Sequence, residues 1–282
     1  MVDALARHRV MTAAMVEVLF FPSPHAAAIR LLTLHEMGIV ERYRSPGSRA
    51  YRYMLGWRGQ CVHAGRHGEK QPSKQAATWK AQQYFLSAQR PHVEGINSFF
   101  CRIQYSARRH GDVRLVDWRS ESDRSDFLYR RPDGTGQLDW DDGSSLYFYL
   151  EHDRSTETLE RLASTVTGYR KHFAPHRRPT EVLLVEVVSE RRLANLLVRL
   201  DSMWAEEMKG NAAPSSFTVA VSFASEPERT FTRHVDHPDA ITDQRWHVPG
   251  QPGPMALVDL PGAVTRNWDI AESALWPPEV AP

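Results

Sequence analysis

The sequence predicts an α+β protein with two folded parts, a small helical domain that ends in a basic hairpin and a larger domain built on a mixed sheet. Three observations predict this class. The first sixty or so residues read as two short helices and a hairpin, and residues 91–210 read as helix, three strands, helix, strand, helix. The chain has 282 residues, 41% of them apolar, which is enough for two separate cores.

Charge and composition narrow the function classes. Lys plus Arg (35) and Asp plus Glu (34) nearly cancel, so any nucleic-acid surface must be local rather than chain-wide. No stretch reaches the roughly 20 apolar residues of a membrane span, and "MVDALARHRV" lacks the apolar core of a signal peptide. The two cysteines, Cys61 and Cys101, suit a reducing compartment. We therefore expect a cytoplasmic protein without a membrane partner.

The first domain begins with two helices. Thr12 is placed to cap a short helix, and Ser23 a second one, with Pro24 at its first position and Gly38 just past its end. The buried stripe of this second helix is predicted to contain Ala28, Ile29, Leu32 and Met37.

A hairpin follows these helices. "IVERYR" and "RAYRYML" alternate apolar and polar residues around "SPGS". Helix, turn, helix and hairpin is the order of a winged helix-turn-helix, which we predict over residues 1–62. Residues 1–58 contain eight arginines and four acidic residues, a net charge of +4, and five of the arginines lie in or beside the hairpin.

This arrangement predicts binding to double-stranded DNA. The second helix would present His25, Arg30 and Thr33 to a major groove, and the hairpin would present arginines to the phosphates. Those hairpin arginines are Arg42, Arg44, Arg49 and Arg52. The small net charge of this module favours a homodimer, which doubles the phosphate contacts. The alternative is a winged helix used only for protein contact, with solvated arginines.

Residues 63–90 are predicted to be a linker with a connecting helix. Cys61, His63 and His67 in "CVHAGRHGEKQPSKQ" contain metal-ligand types, but their spacing fits no standard zinc finger. We interpret this stretch as a polar linker after the last strand of the hairpin.

The second domain, residues 91–210, carries acidic residues where a buried strand ends. "SLYFYLEHD" is a largely apolar strand that finishes with Glu151 and Asp153, and the Pro132-Asp133 turn precedes it. Glu151 and Asp153 have the spacing to project from one side of a strand. One interpretation is a metal site. The other is that the acids pair with Arg131, Arg154 or Arg161, or that the next helix is capped by Ser155 or Thr156.

The element order, together with Pro132-Asp133 and the acidic strand end, resembles the restriction-endonuclease-like core. In active members of that fold, an aspartate and a Glu-x-Lys pair bind magnesium and position the attacking water. Asp133 and Glu151 match the acids, whereas Asp153 stands at the lysine position. The resemblance thus makes Asp133, Glu151 and Asp153 the candidate catalytic residues and ligands for Mg²⁺ or Mn²⁺. Because the lysine is missing, we expect a degenerate site.

The chain as a whole resembles the replication-relaxation proteins of actinobacterial plasmids and mobile elements. The matching pieces include "RHRVMTAAMVEVLFFPSPHAAAIRLLTLHEMGIVERYR", "HVEGINSFFCRI", "RLVDWRSE", "RPDG" and "YFYLEHDRSTETLERLASTVTGYRKHF", in the family's order. The resemblance implies a DNA-binding protein in replication, maintenance or control of such an element, acting with a replication protein. The alternatives are a metal-dependent nuclease or nickase, and a transcriptional repressor or protein-interaction adaptor.

Residues 211–282 are predicted to form a C-terminal extension with one further strand and a proline-rich tail. "SFTVAVSFAS" is the candidate strand. Trp246, Trp268 and Trp276 are candidate anchors of this extension or contacts in an oligomer.

Overall fold

The computed structural model is a mixed α+β structure, as predicted. It describes residues 1–48, 50–120, 131–173, 181–209, 217–232, 237–260 and 264–266. Over these residues the chain divides into two compact units. The first lies within residues 1–105, 119–126 and 224–239, and the second within residues 106–118, 127–223 and 240–282.

The first unit combines helices with a three-stranded sheet. Its helices are α1 (Val2–His8), α2 (Ala13–Phe20), α3 (Pro24–Glu36), α4 (Trp57–Arg66) and α5 (Lys74–Leu86). Its strands are β1 (Met11–Thr12), β2 (Val40–Tyr43) and β3 (Arg52–Leu55), antiparallel in the order β1-β3-β2. The predicted hairpin is therefore confirmed, and α1 and β1 are additional elements.

Local sequence explains where these helices begin. The hydroxyl of Thr12 accepts a hydrogen bond from the Met15 amide at 3.2 Å, and that of Ser23 accepts one from the Ala26 amide at 3.2 Å. Each bond satisfies one of the amides that a helix leaves without an internal partner, so both predicted caps are confirmed. Gly38 has φ 70, which only glycine adopts readily, and the chain turns there from α3 into β2.

The prediction of a polar linker after the hairpin is wrong for its first residues, because 57–66 form α4. This helix approaches β2 closely at Gly59. A Cβ atom there would lie 2.1 Å from the carbonyl oxygen of Ile39. No side chain fits in that space, so glycine is required there for the helix to pack. The polar residues around it suggested a linker because this packing depends on a glycine rather than on apolar side chains.

The second unit is built on a mixed sheet. Its strands are β4 (Val113–Ser120), β5 (Gly134–Trp140), β6 (Ser144–His152), β7 (Glu181–Val187), β8 (Thr218–Phe223), β9 (Trp246–His247), β10 (Pro254–Met255) and β11 (Val264–Arg266). The order is β10-β9-β8-β7-β6-β5-β4, and β11 pairs with β6. Strands β6, β7 and β8 are parallel, whereas β5 and β11 run antiparallel to β6.

Helix α6 (Arg90–His110) lies mostly in the first unit, and its last residues belong to the second. Two further helices, α7 (Leu159–Phe173) and α8 (Glu190–Lys209), pack on the sheet of the second unit. A buried apolar cluster joins α7 and α8 to the central strands through residues such as Tyr149, Val166, Val185, Leu196 and Val221. β7 is buried along its whole length, as its continuous apolar run predicts.

The C-terminal extension contributes more strands than predicted. β8, β9, β10 and β11 all join the sheet of the second unit. Trp246 is buried, whereas Trp268 and Trp276 lie outside the described residues.

No single helix in the described part of the chain has the length and hydropathy of a membrane span. Taken together, α2 and α3 reach those values, but they are bent by 111°.

Candidate functional site

Arg42 and Arg44, two of the arginines predicted to bind DNA, both lie near the ring of Tyr51 on the hairpin. The Cζ atom of Arg42 lies 4.7 Å, and that of Arg44 5.5 Å, from the centre of the Tyr51 ring. Arg42 also hydrogen-bonds the phenol of Tyr53, whose pKa is raised by burial and lowered in part by this arginine. A guanidinium over an aromatic ring is attracted by the negative face of that ring, so Tyr51 holds positive charge on the hairpin. Arg49 lies outside the described residues.

Arg52 lies in a different environment from these two arginines. Its Nε lies 3.4 Å from both carboxylate oxygens of Glu94, and Arg90 contacts the same carboxylate at 2.7 Å. The side chains of Arg52 and Glu94 are 13% and 7% exposed. Since Arg52 is engaged in this ion pair, it links β3 to α6, and phosphate binding by it would require that the pair be broken.

The helix α3 presents a different face from the one predicted. Its buried residues are Ala27, Leu31 and Leu34. The predicted stripe is therefore wrong: Ile29 is 55% exposed, and Leu32 and Met37 are 48% exposed. Ala28 is also exposed.

The candidate groove-reading residues sit on this helix. His25 and Arg30 are exposed. Thr33 is half-buried, and its hydroxyl donates to the Ile29 carbonyl at 3.0 Å. The exposed surface of α3 therefore contains both polar and apolar side chains.

Glu151, at the end of β6, is held by a tyrosine. Its carboxylate accepts a hydrogen bond of 2.6 Å from the hydroxyl of Tyr169 on α7. Both side chains are buried. Removing a carboxylate from water is costly unless a donor compensates, and the Tyr169 hydroxyl contributes that compensation.

Asp153 is held by an arginine from α8. Both nitrogens of one edge of Arg192 contact it, with Nε on Oδ2 and Nη2 on Oδ1, the latter at 3.1 Å. The Asp153 side chain is 5% exposed and that of Arg192 is 15% exposed. Arg192 also donates to the Glu157 carbonyl at 2.9 Å. This two-point pairing orients the guanidinium and neutralises the acid.

Asp133, His152 and Glu186 make further hydrogen bonds at the end of β6. Asp133 accepts a hydrogen bond of 2.7 Å from the backbone amide of His152. The ring of His152 lies 3.2 Å from a carboxylate oxygen of Glu186, its register partner on the parallel strand β7. The amide of Asp153 in turn donates to the Glu186 carbonyl at 2.9 Å. The three candidate acids are thus each tied to a protein donor.

Asp133, Glu151 and Asp153 are not among the side chains that form a compact three-ligand group in the described part of the chain. Over the residues that the structure describes, the one group of three His, Cys, Asp or Glu side chains whose ligand atoms all lie within 4.8 Å is found elsewhere, in the first unit. Glu151 and Asp153 are buried and Asp133 is half-buried, and each acid is paired with a donor of the protein itself.

The partner of Asp153 and the cap of α7 differ from those considered in the sequence. Arg192 lies 39 residues after Asp153, and the cap of α7 is Thr158, whose hydroxyl accepts from the Arg161 amide at 3.3 Å. An arginine in the first turn of a helix is disfavoured by the helix dipole. "SERRL" therefore offered an indication that Arg192 has an acidic partner, and Glu186 inside the apolar run "VLLVEVV" was a similar indication.

A family model described as replication-relaxation matches residues 2–183 of the chain. Neither a curated protein nor a solved structure matches it. Because residues 2–183 make up more than half of the 282 residues, the chain belongs to the replication-relaxation family.

Proposed function

We propose that this protein binds double-stranded DNA through its first unit and acts in the replication, maintenance or control of a plasmid or mobile element. Family membership implies a role in replication or relaxation of such an element. The observation that carries DNA binding is the hairpin on which the guanidiniums of Arg42 and Arg44 lie over the ring of Tyr51. In the proposal, these guanidiniums bind the phosphate backbone.

The topology of the first unit supports a winged helix-turn-helix. The element order α1-β1-α2-α3-β2-β3 and the strand order β1-β3-β2 are those expected for that motif. α3 then takes the place of the recognition helix. His25 and Arg30 supply polar groups for base edges, and exposed Ile29 and Leu32 supply apolar contacts to thymine methyl groups. Half-site symmetry makes a homodimer the proposed binding form.

The second unit is proposed to be a nuclease-like domain that does not cut DNA. Metal-dependent cleavage needs carboxylates that are available to a cation and a group that activates the attacking water. Here Glu151 is bound by Tyr169 and Asp153 by Arg192. The alternative, a nuclease that uses Asp133, Glu151 and Asp153 with Mg²⁺ or Mn²⁺, requires Asp153 to leave Arg192, which engages both of its oxygens, whereas the Tyr169 bond engages only Oε1 of Glu151.

The salt dependence of DNA affinity tests the binding proposal. Fluorescence anisotropy on the element's own DNA should show that an Arg42→Ala/Arg44→Ala protein binds more weakly. The slope of log K against log salt should fall by roughly 0.9 for each lost phosphate contact. The matched control is Arg114→Ala/Arg161→Ala, which removes the same charge from two side chains that are each 68% exposed. Equal affinity and slope in both variants would remove the hairpin from the interface.

Cleavage assays test the second unit. Supercoiled, linear and single-stranded DNA should stay intact with Mg²⁺ and with Mn²⁺. Turnover by the wild type that disappears in a folded Glu151→Gln protein would establish the nuclease alternative instead.

A protein-interaction adaptor is the second candidate function, and the exposed apolar side chains of α3 favour it. Ile29, Leu32 and Met37 would fit an apolar protein surface as well as a groove. Absence of salt-dependent DNA binding, together with binding of a replication protein that is lost in Ile29→Asp, would select this function.

A further inference from the structure

Three side chains of metal-ligand type meet in the first unit. Asp3 lies on α1, His63 lies on α4, and His67 is the residue that caps α4 at its C-terminal end. One ligand atom from each lies within 4.8 Å of the other two. We propose that Asp3, His63 and His67 bind one Zn²⁺ ion.

The interatomic distances are close to those of a zinc site. The Nδ1 atom of His63 lies 3.2 Å, and the Nε2 atom of His67 4.0 Å, from Oδ1 of Asp3. Ligands about 2.0–2.2 Å from zinc in a tetrahedron lie roughly 3.3 Å apart. The first pair already matches this spacing, and the second needs a side-chain movement of less than about 1 Å. Since His67 is 52% exposed, its ring has room to turn.

The two histidines are spaced by four residues, so they lie on one side of α4. Their ring centres are 4.4 Å apart. The remaining oxygen of Asp3, Oδ2, accepts a hydrogen bond of 2.7 Å from Arg66. A ligating carboxylate is often oriented by such an outer partner, so Arg66 would direct Oδ1 toward the ion.

Two imidazoles and one carboxylate define the type of metal. This donor set suits zinc better than magnesium or calcium, which prefer oxygen ligands throughout. Cys61 does not complete the site, because its thiol donates to the Pro72 carbonyl at 3.8 Å. The fourth position is left to solvent or an added ligand. His63 also lines a cavity of about 600 Å³ in this unit, together with Arg9, Lys70 and Lys80.

Bound zinc would join α1 to α4. A helix of seven residues is too short to be stable alone in water, so α1 depends on its packing. An ion held by both helices stabilises that packing, because it binds the folded state and not the unfolded chain. This proposal does not depend on DNA binding or on the acids of the second unit.

Titration calorimetry with Zn²⁺ and visible absorption with Co²⁺ test the site on full-length protein purified without a histidine tag. We expect a single ion per chain and a higher Tm when zinc is present. His67→Ala and Asp3→Asn should each weaken binding about tenfold or more, while His110→Ala, at an exposed histidine of α6, should bind as the wild type does.

Both informative variants change exposed or half-exposed side chains, and their metal-free Tm should equal that of the wild type. The proposal is overturned if the wild type binds no zinc, or if His67→Ala and Asp3→Asn bind it as tightly as the wild type. It is also overturned if zinc affinity in these two variants changes by the same factor as in His110→Ala.

Discussion

Replacing Arg192 by methionine should destabilise the second unit strongly, because Asp153 would stay buried without its cation. The acid is 5% exposed, and its carboxylate is bound at two points by the guanidinium. Charges about 4 Å apart attract by roughly 4 kcal/mol at an effective dielectric constant of 20. Breaking a buried pair from one side typically costs about 3–5 kcal/mol. Methionine keeps the length of the apolar stem, so the loss reports on the ion pair together with the hydrogen bond to the Glu157 carbonyl.

Urea unfolding followed by circular dichroism measures this loss. Because two units can unfold separately, hydrogen exchange of the β6 and β7 amides adds a local readout. The amide of Asp153, which directly follows β6 and donates to the Glu186 carbonyl at 2.9 Å, is a further reporter. Arg191→Met, at the neighbouring exposed arginine, should stay within about 0.5 kcal/mol of the wild type.

A double variant separates pairing from packing. Asp153→Asn/Arg192→Met removes both charges, so it should lose less than the sum of the two single variants, with a coupling of about 2 kcal/mol or more. An Arg192→Met protein within about 1 kcal/mol of the wild type would refute the reasoning, since it would mean that Asp153 does not need its partner.

Three further predictions concern particular side chains. Tyr169→Phe removes the donor to Glu151 and should cost about 1–3 kcal/mol in urea unfolding; an unchanged midpoint would contradict it. Gly59→Ala should destabilise the first unit, because its Cβ atom would lie 2.1 Å from the Ile39 carbonyl oxygen. Gly65→Ala is the control in the same helix. Its Cβ atom would have no neighbour nearer than 3.9 Å, so it should be neutral or stabilise by up to about 1 kcal/mol. Burial lowers the pKa of His8 to about 3 from 6.5, so the unfolded chain binds the proton first, and stability should fall by about 2 kcal/mol between pH 7 and pH 5. That fall should be absent from the pH profile of His8→Gln, and equal profiles would show that His8 is not the group responsible.

Local patterns in the sequence predict most of the elements. Caps at Thr12 and Ser23, the turn at Gly38 and the apolar run of β7 each depend on neighbouring residues, and each was predictable. Local sequence patterns do not identify the buried face of α3. That helix is apolar on several sides, so Ala27-Leu31-Leu34 and Ala28-Ile29-Leu32 fit a helical period equally well, and only packing against other elements selects one.

The contacts of the acidic strand end depend on residues that are distant in sequence. The acids themselves stood out at Glu151 and Asp153, but their partners Tyr169 and Arg192 come from helices that follow 18 and 39 residues later. The same holds for Asp3, which joins His63 across 60 residues. Residue spacing predicts which side chains share a face, and tertiary packing decides which faces meet.

The pairing of Asp153 with Arg192 has a consequence for how this chain can change by mutation. A variant that bound a metal ion through Asp153 would first have to lose Arg192, because the guanidinium holds both oxygens of the acid. Loss of Arg192 alone leaves a buried charge without its partner and therefore an unstable protein. Single substitutions at this strand end thus meet a barrier in stability, and two changes would have to occur together to pass it.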